Sequence, residues 1–208
     1  MKLLKIALII LGTLIVGLVG ARVLFSVQIG EALFRSAVKA NIGQNALADA
    51  SDGLSVVLVG TGSPLPDPGR VGPMTVVAAG GRVFVIDAGS GSARRFGELR
   101  LPWANVEAVF LTHFHSDHID GLGEVMLQHW AAGGAESPLA LYGPNGVDRI
   151  AAGLMEAYAQ DTTYRIAHHG ADMIAPSGQG AEAIAFTPSG LPEVVYQQDG
   201  LTVSAVSV

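Results

Sequence analysis

The longest run of hydrophobic positions lies at the N-terminus, where residues 6–21 carry no charge. Lys2 and Lys5 precede this run, Arg22 follows it, and apolar residues resume beyond the arginine. The run and its continuation approach the ~20 residues that a helix needs to span a bilayer. The pattern predicts an uncleaved signal-anchor over residues 1–29, with a cleaved secretory signal and a buried core helix as the alternatives.

A second stretch follows with apolar residues at helical spacing, Leu33 and Val38 lying near one face. Residues 30–53 are predicted to form a helical linker that leads from the membrane to the rest of the chain. The two lysines at the start favour an N-terminus inside the cytoplasm, which places the remainder on the periplasmic or extracellular side. Arg35 and Lys39, on the other side of the apolar run, weaken that assignment.

Beyond residue 53, short apolar strands alternate with amphipathic helical segments. The predicted strands are residues 54–60, a hairpin over residues 75–89 that turns at Gly80-Gly81, and residues 106–112, 139–143, 183–187 and 200–208. The predicted helices are residues 92–99, 119–130 and 145–160, the last with Asn145 as N-cap. The remainder of residues 171–192 is rich in Gly, Pro and Ala and is predicted to be a loop. This alternation predicts an α/β layered domain over residues 54–208.

The charge balance is acidic, with 12 Lys and Arg against 18 Asp and Glu and a net charge of −6. Three of the cations lie within residues 1–22, so the remaining chain has nine cations and a net charge of −9. An acidic domain is poorly suited to neutralise phosphates, and nucleic acid is therefore disfavoured as a partner. The chain has no cysteine, so any metal site must use His, Asp or Glu.

Three of the six histidines lie within the short stretch LTHFHSDHIDGLGE, residues 111–124. His113 and His115 are two residues apart at the end of a predicted strand, so both imidazoles can face one metal ion. Asp117 and His118 follow where the strand gives way to a helix, and offer an oxygen and a nitrogen to a neighbouring ion. Such a set suits a two-metal hydrolytic site, with zinc favoured and manganese or iron as alternatives. A polar loop that caps the next helix is the non-functional alternative.

The segment HFHSDH, residues 113–118, resembles the His-x-His-x-Asp-His motif of the metallo-β-lactamase superfamily. GTGSPLPDPGR, residues 60–70, and VIDAG, residues 85–89, resemble the tRNase Z-like and arylsulfatase-like branch of that family. The resemblance implies an αββα sandwich, of which residues 54–208 would form the N-terminal half.

The resemblance also implies roles for individual side chains. His113 and His115 would hold one zinc ion, and Asp117 and His118 a second, giving two ions per complete protein. Asp117 would also orient or deprotonate the bridging water, which makes it the implied catalytic residue. Asp87, at a strand end, resembles the family's aspartate that orients a ligand imidazole, and a solvated turn aspartate is the alternative.

Three further residues are candidates for a substrate pocket. Arg70 can meet an anionic substrate group, or it can be an ordinary loop arginine. His168 and His169 are adjacent and point apart on either a strand or a helix, so at most one is expected to face the site. His129 lies ~16 Å beyond His118 along a helix and is expected to be a partly buried structural histidine.

The family requires more ligands than this cluster supplies, and His169 is the last histidine in the chain. The remaining ligands are expected beyond Val208, which indicates an N-terminal fragment or an incomplete gene product, with a degenerate homologue as the alternative. The 208-residue chain is therefore expected to bind zinc weakly, to be inactive alone and to expose a sheet edge. Equilibrium dialysis that finds two tightly held zinc ions would contradict this expectation.

These observations favour a membrane-anchored zinc-dependent hydrolase that uses a metal-bridged hydroxide to cleave a small-molecule ester or phosphodiester. A tRNA 3′-processing endonuclease is the first alternative, supported by residues 60–70 and opposed by the acidic charge and the anchor. The second alternative is a non-catalytic, membrane-tethered binding protein with a degenerate fold.

Overall fold

The chain divides into two compact units, Met1–Gln44 and Asn45–Val208. The computed structural model describes residues 2–41, 45–47, 53–65 and 67–208. The first unit contains one helix, α1 (Lys2–Asn41), which passes the predicted boundary between anchor and linker without a break. The predicted end of the linker, residues 48–52, lies outside the described residues.

In the apolar part of α1, Leu4–Arg22, none of the described side chains is buried. By length and composition alone this 19-residue segment can cross a membrane, a test that an N-terminal signal sequence also passes. The segment therefore agrees with the predicted anchor without separating it from a cleaved signal.

Six strands form the main sheet of the second unit, in the order in which they occur along the chain. They are β1 (Leu54–Gly60), β2 (Met74–Ala79), β3 (Arg82–Ile86), β4 (Val106–Phe110), β5 (Leu139–Pro144) and β6 (Ala181–Phe186). Neighbours from β1 to β3 pair antiparallel, and neighbours from β3 to β6 pair parallel. The predicted hairpin is confirmed, since Gly80 and Gly81 join β2 to β3 with φ of 57° and 77°, as a type I′ turn requires.

Helices connect the parallel strands and cover one face of this sheet. They are α2 (Ser92–Glu98), α3 (Ser116–Ile119), α4 (Leu122–Ala131) and α5 (Val147–His169). Their buried side chains, such as Phe96 and Leu122, pack against Val85, Val109 and Leu141 of the sheet in one hydrophobic core. The predicted α/β layered domain is confirmed by this arrangement.

Helix α5 is longer than the sequence pattern indicated. It continues past residue 160 to His169, so His168 and His169 lie in its last turn, and Gly170 caps it with φ of 85°. The polar continuation is supported by an i,i+4 ion pair in which Arg165 Nε lies 2.6 Å from Asp161 Oδ2. Asn145 is not the N-cap: Gly146 occupies that position, and the Asn145 amide donates to Thr187 Oγ1 at 2.9 Å.

A second, two-stranded sheet covers the other face of the main sheet. Its strands are β7 (Glu193–Gln198), which the sequence analysis missed, and β8 (Leu201–Ala205). Tyr196 inserts among the aromatic rings of this face, with its ring centroid 5.3 Å from that of Phe84 and 6.1 Å from that of Phe110. The second unit therefore has a helix layer, a six-stranded sheet and a two-stranded sheet.

The hydroxyl of Tyr196 holds the small sheet to the large one through polar contacts. Arg82 donates to Tyr196 Oη at 3.1 Å, and that hydroxyl donates to Glu107 Oε1 at 3.3 Å. Tyr196→Phe keeps the packed ring and removes these bonds, so we expect it to lower the free energy of unfolding by about 1 kcal/mol. Tyr164→Phe, at an exposed position, is the matched control and should change it little. Urea unfolding followed by tryptophan fluorescence measures both, and equal stability of the two variants would refute the contribution of these contacts.

Candidate metal centre

The histidine cluster lies in the connection from β4 to α4, at the end of the parallel strands. The Leu111 N–H donates to the Tyr142 carbonyl at 2.8 Å, so the chain leaves β4 still bound to its neighbour. It then returns to the end of β3, where the Ala88 N–H donates to the His118 carbonyl at 2.8 Å. The Gly121 N–H donates in turn to the Ala88 carbonyl at 2.8 Å. These bonds fix the cluster against the ends of two strands.

Two glycines allow the backbones to approach closely here. A Cβ atom on Gly89 would collide with the carbonyl oxygen of Asp117, and one on Gly121 would collide with the carbonyl oxygen of Gly89. Both clashes are with backbone atoms, so a side chain at either position would displace the loop. The position of Asp117 therefore depends on glycine at both places.

His113 and His115 form the first donor pair. His113 Nε2 lies 3.0 Å from His115 Nδ1, and the two ring centroids are 4.6 Å apart in an edge-on arrangement. Two nitrogens bound to one tetrahedral zinc ion lie roughly 3.3 Å apart, because each Zn–N bond is ~2.0–2.1 Å long. The facing nitrogens are therefore close to the separation that a shared ion requires.

Asp117 and His118 form the second donor pair, within the short helix α3. His118 Nε2 lies 3.6 Å from Asp117 Oδ2, and the His118 ring centroid lies 4.1 Å from that of His113. The two pairs are thus adjacent, as a site for two neighbouring ions requires.

Asp87 lies beneath the second pair and contacts its histidine. It follows β3 with φ of 61°, a left-handed conformation that aspartate tolerates better than most residues, and it is 6% exposed. Its Oδ2 lies 2.8 Å from His118 Nδ1, and its Oδ1 accepts from the Thr112 N–H at 2.9 Å. A carboxylate can only accept, so the His118 proton lies on Nδ1 and the Nε2 lone pair is free to bind a metal.

Thr112 joins the same group and was not among the residues that the sequence analysis selected. Its Oγ1 lies 3.0 Å and 2.9 Å from the two carboxylate oxygens of Asp87, and 3.0 Å from His113 Nδ1. A hydroxyl residue directly before the first histidine was the available sequence signal. That signal is weak, because the contacts with Asp87 depend on the fold.

The donor atoms fit a divalent metal such as zinc, which accepts imidazole nitrogen and carboxylate oxygen. Each of the two predicted ions would have two protein ligands among these side chains. Within the parts of the chain that the structure describes, no group of three or more His, Asp or Glu converges on one point. The assignment of His113, His115, Asp117 and His118 as ligands stays a prediction, supported by their convergence in two adjacent pairs.

A cavity of about 410 Å³ opens beside Asp117 and reaches the loop after β1. It is lined by Arg70, Ser90, Ser116 and Asp120, among others. The Arg70 guanidinium lies 3.5 Å from Asp67 Oδ2, and both side chains are about half exposed. The structure therefore brings Arg70 to the same cavity as a predicted metal ligand.

His168 and His169 lie elsewhere. Both are exposed in the last turn of α5, with ring centroids 4.6 Å apart. The other end of this helix, at Gly146, is the one that approaches the cluster, since a Cβ there would contact the Phe114 ring. A helix of 23 residues is roughly 35 Å long, so the structure does not bring the two histidines to the cluster.

His129 is partly buried in α4, as predicted, and its Nδ1 has no hydrogen-bond partner among the described residues. Burial lowers the pKa of His129 below its usual value of 6.5, against the opposing effect of a hydrogen bond with the Ser137 backbone. As the pH falls through 6.5, the unfolded chain therefore takes up a proton at this residue before the folded chain does. Stability contributed by the neutral histidine is present above pH 6.5 and decreases on acidification.

The free energy of unfolding should fall between pH 7.5 and pH 5, and we expect it to fall less in His129→Gln than in the unaltered chain. The glutamine cannot titrate, so the part of the pH dependence that belongs to His129 disappears. His169→Gln, at an exposed position, is the control and should leave the dependence close to that of the unaltered chain. Urea unfolding at the two pH values measures the effect, and an undiminished loss in His129→Gln would show that burial of this ring does not destabilise its charged form.

The chain is similar to two curated ribonucleases and to one solved structure. The chain is 45% identical over 125 residues to ribonuclease Z of Mycobacterium marinum, a match covering 59% of this chain and 44% of that protein. It is 36% identical over 151 residues to ribonuclease Z of Mycobacterium sp. strain KMS, covering 72% and 50%. The human short-form tRNase Z crystal structure is 27% identical, with a TM-score of 0.46, over 50% of this chain and 39% of that one. The chain thus spans about half the length of the curated relatives it matches.

The prediction that nucleic acid is disfavoured as a partner is wrong, because the matched relatives are named as ribonucleases. It was based on a net charge of −9 beyond residue 22. A residue count omits the charge of bound metal ions, which are the largest local charges where they bind, and it averages over surfaces that do not meet the substrate. Net charge therefore does not exclude a phosphodiester substrate at a metal site.

The family model of the metallo-beta-lactamase superfamily matches residues 67–200, nearly two thirds of the chain. This range contains Asp87 and the whole cluster from His113 to His118. The chain therefore belongs to the metallo-beta-lactamase superfamily.

Proposed function

We propose that this chain carries one part of the active site of a metal-dependent hydrolase that cleaves RNA phosphodiesters. The observation that carries the proposal is the 45% identity to ribonuclease Z over 125 residues. The two adjacent donor pairs support it, since a metal-assisted hydrolase needs its ligands in this arrangement. The sequence analysis favoured a small-molecule ester or phosphodiester, and the ribonuclease Z relatives favour its first alternative, an RNA substrate.

His113 and His115 would hold one ion, and Asp117 and His118 the other. Bound there, the ions would supply Lewis-acid polarisation of a phosphoryl oxygen and a lowered pKa for the attacking water. The side chains of Asp117 and His118 are 14% and 20% exposed, so their donor atoms can be reached by water and substrate. The Asp117 carboxylate is then placed to accept or orient the proton of that water.

Arg70 lines the same cavity as Asp117 and would bind the substrate phosphate there. Its pairing with Asp67 is exposed and therefore weak, so a phosphate can replace the carboxylate at small cost. The planar guanidinium presents paired donors that suit phosphate oxygens. Ser90 and Ser116 line the same cavity and offer neutral hydroxyl donors to the same group.

We also propose that α1 tethers the hydrolase domain, which begins at residue 54, to a membrane. The support is the length and apolar composition of Leu4–Arg22. An RNA substrate requires the domain on the cytoplasmic side, opposite to the orientation favoured by the two N-terminal lysines. Arg35 and Lys39 follow the apolar run and are the cations that would favour the cytoplasmic side. Protease digestion of spheroplasts distinguishes the orientations, because an outward domain is cut and an inward domain is protected by the inner membrane.

Cleavage of a precursor tRNA with a 3′ extension, in the presence of zinc, tests the proposed activity. The assay is run on this chain and on the full reading frame that encodes it, with a bis-aryl phosphodiester and an aryl ester in parallel. We expect the product of the full reading frame to cleave the RNA and the phosphodiester in the presence of zinc, and a chelator to abolish both activities. Hydrolysis of the ester without cleavage of either phosphodiester would contradict the proposal.

A further inference from the structure

Thr112 lies between Asp87 and His113 in a continuous chain of hydrogen bonds. Its Oγ1 contacts both Asp87 carboxylate oxygens, at 3.0 and 2.9 Å, and His113 Nδ1, at 3.0 Å. The backbone N–H of the same threonine donates to Asp87 Oδ1 at 2.9 Å, which holds the residue against the carboxylate. Backbone and side chain of Thr112 are thus both bound to Asp87.

The hydrogen bonds from Asp87 through Thr112 to His113 allow one placement of their protons. An ionised carboxylate accepts and does not donate, so the single hydroxyl proton of Thr112 points to Asp87. The Thr112 oxygen then faces His113 Nδ1 with a lone pair, and that nitrogen must carry the proton. His113 Nε2 consequently carries a lone pair, which in the metal-free chain accepts the proton on His115 Nδ1, 3.0 Å away.

We propose that Thr112 is a positioning residue through which Asp87 also fixes the tautomer of His113, in the first donor pair. Asp87 fixes the tautomer of His118 directly, through Nδ1 at 2.8 Å, and fixes that of His113 through the Thr112 hydroxyl. A single carboxylate therefore determines which ring nitrogen carries no proton in one histidine of each pair. The metal-binding consequence rests on the proposed function, whereas the tautomers are a property of the metal-free chain.

The experiment is long-range ¹H–¹⁵N NMR of the histidine rings in the metal-free full chain at pH 8, where neutral tautomers are resolved. In the unaltered chain we expect His113 and His118 to carry their protons on Nδ1. Thr112→Val keeps the shape and removes the hydroxyl, so His113 should lose this preference while His118 keeps it. Thr112→Ser should restore the His113 tautomer, and Thr202→Val, at an exposed position of β8, should leave both rings unchanged.

The unchanged His118 signal also shows that Thr112→Val has kept the local fold, which separates a positioning effect from general disruption. An Nε2 proton on His113 in the unaltered chain would overturn the proposal, and so would an unaltered His113 tautomer in Thr112→Val. Loss of both tautomers in Thr112→Val without rescue by serine would overturn it as well, because that pattern indicates a structural role.

Zinc affinity provides the second readout, measured by competition with a chromophoric chelator. We expect Thr112→Val to weaken zinc binding about 10–100-fold, the effect typical of partners that orient a metal ligand, and Thr112→Ser to restore it. Correct tautomers and zinc affinities in a protein that does not cleave RNA would support this inference and refute the proposed function.

Discussion

Asp117→Asn is expected to reduce metal-dependent phosphodiester hydrolysis by about 10²–10⁴-fold, the contribution typical of a positioned acid–base group. The amide keeps the size of the side chain but has a neutral oxygen, which binds a divalent ion weakly and does not accept a proton from water. The loss should appear mainly in kcat, because the substrate phosphate would still be bound by Arg70 in the shared cavity. Steady-state rates on the precursor tRNA measure it.

Asp120→Asn is the matched control for this variant. Asp120 lies three residues further along, is exposed and lines the same cavity, so its replacement removes the same charge from the same region. We expect its kcat to stay within a few-fold of the unaltered protein. Equal losses in the two variants would show that the cavity responds to charge alone and that Asp117 has no specific role.

Asp87→Asn is expected to lower zinc affinity by about 10–100-fold. Asparagine tolerates the left-handed backbone at this position, so the fold should persist. The amide, however, has a donor group where Asp87 has two acceptors. It leaves either the His118 Nδ1 proton or the Thr112 backbone N–H without its acceptor, and so disturbs either the tautomer of His118 or the placement of Thr112. Chelator competition measures the affinity.

Asp199→Asn is the control for Asp87→Asn, because Asp199 also has a positive φ, of 47°, and loses the same charge in an exposed position. We expect it to leave zinc affinity unchanged. A zinc affinity in Asp87→Asn within two-fold of the unaltered chain would contradict the role assigned to the Asp87 carboxylate.

Much of the centre could be predicted from local spacing. His113 and His115 are two residues apart on extended chain, and this spacing alone anticipates that their nitrogens meet, as they do at 3.0 Å. The contact of Asp87 with His118 spans 31 residues and depends on the parallel pairing of β3 with β4, which brings the ends of both strands to one edge. The sequence indicated a strand end at Asp87, but the pairing that creates the contact is a property of the fold.

Strand β7 and the role of Thr112 were not predicted from the sequence, for physical reasons of the same kind. Strand β7 has one buried side chain, Tyr196, so it lacks the alternation by which a strand is recognised. Thr112 acts through contacts with Asp87, a residue 25 positions away, and has no distinctive motif of its own. His168 and His169 were candidates for the substrate pocket, whereas the extension of α5 places them far from the cluster.

The most direct test of the metal centre is a zinc titration of the full chain followed by the ¹⁵N signals of the histidine rings. We expect zinc to shift the ¹⁵N signals of His113 at Nε2, His115 at Nδ1 and His118 at Nε2, and to leave those of His129, His168 and His169 unchanged. Asp117→Asn should diminish the His118 shift and leave that of His113. Zinc that shifts the His168 and His169 rings while leaving the cluster unaffected would contradict the assignment of this site.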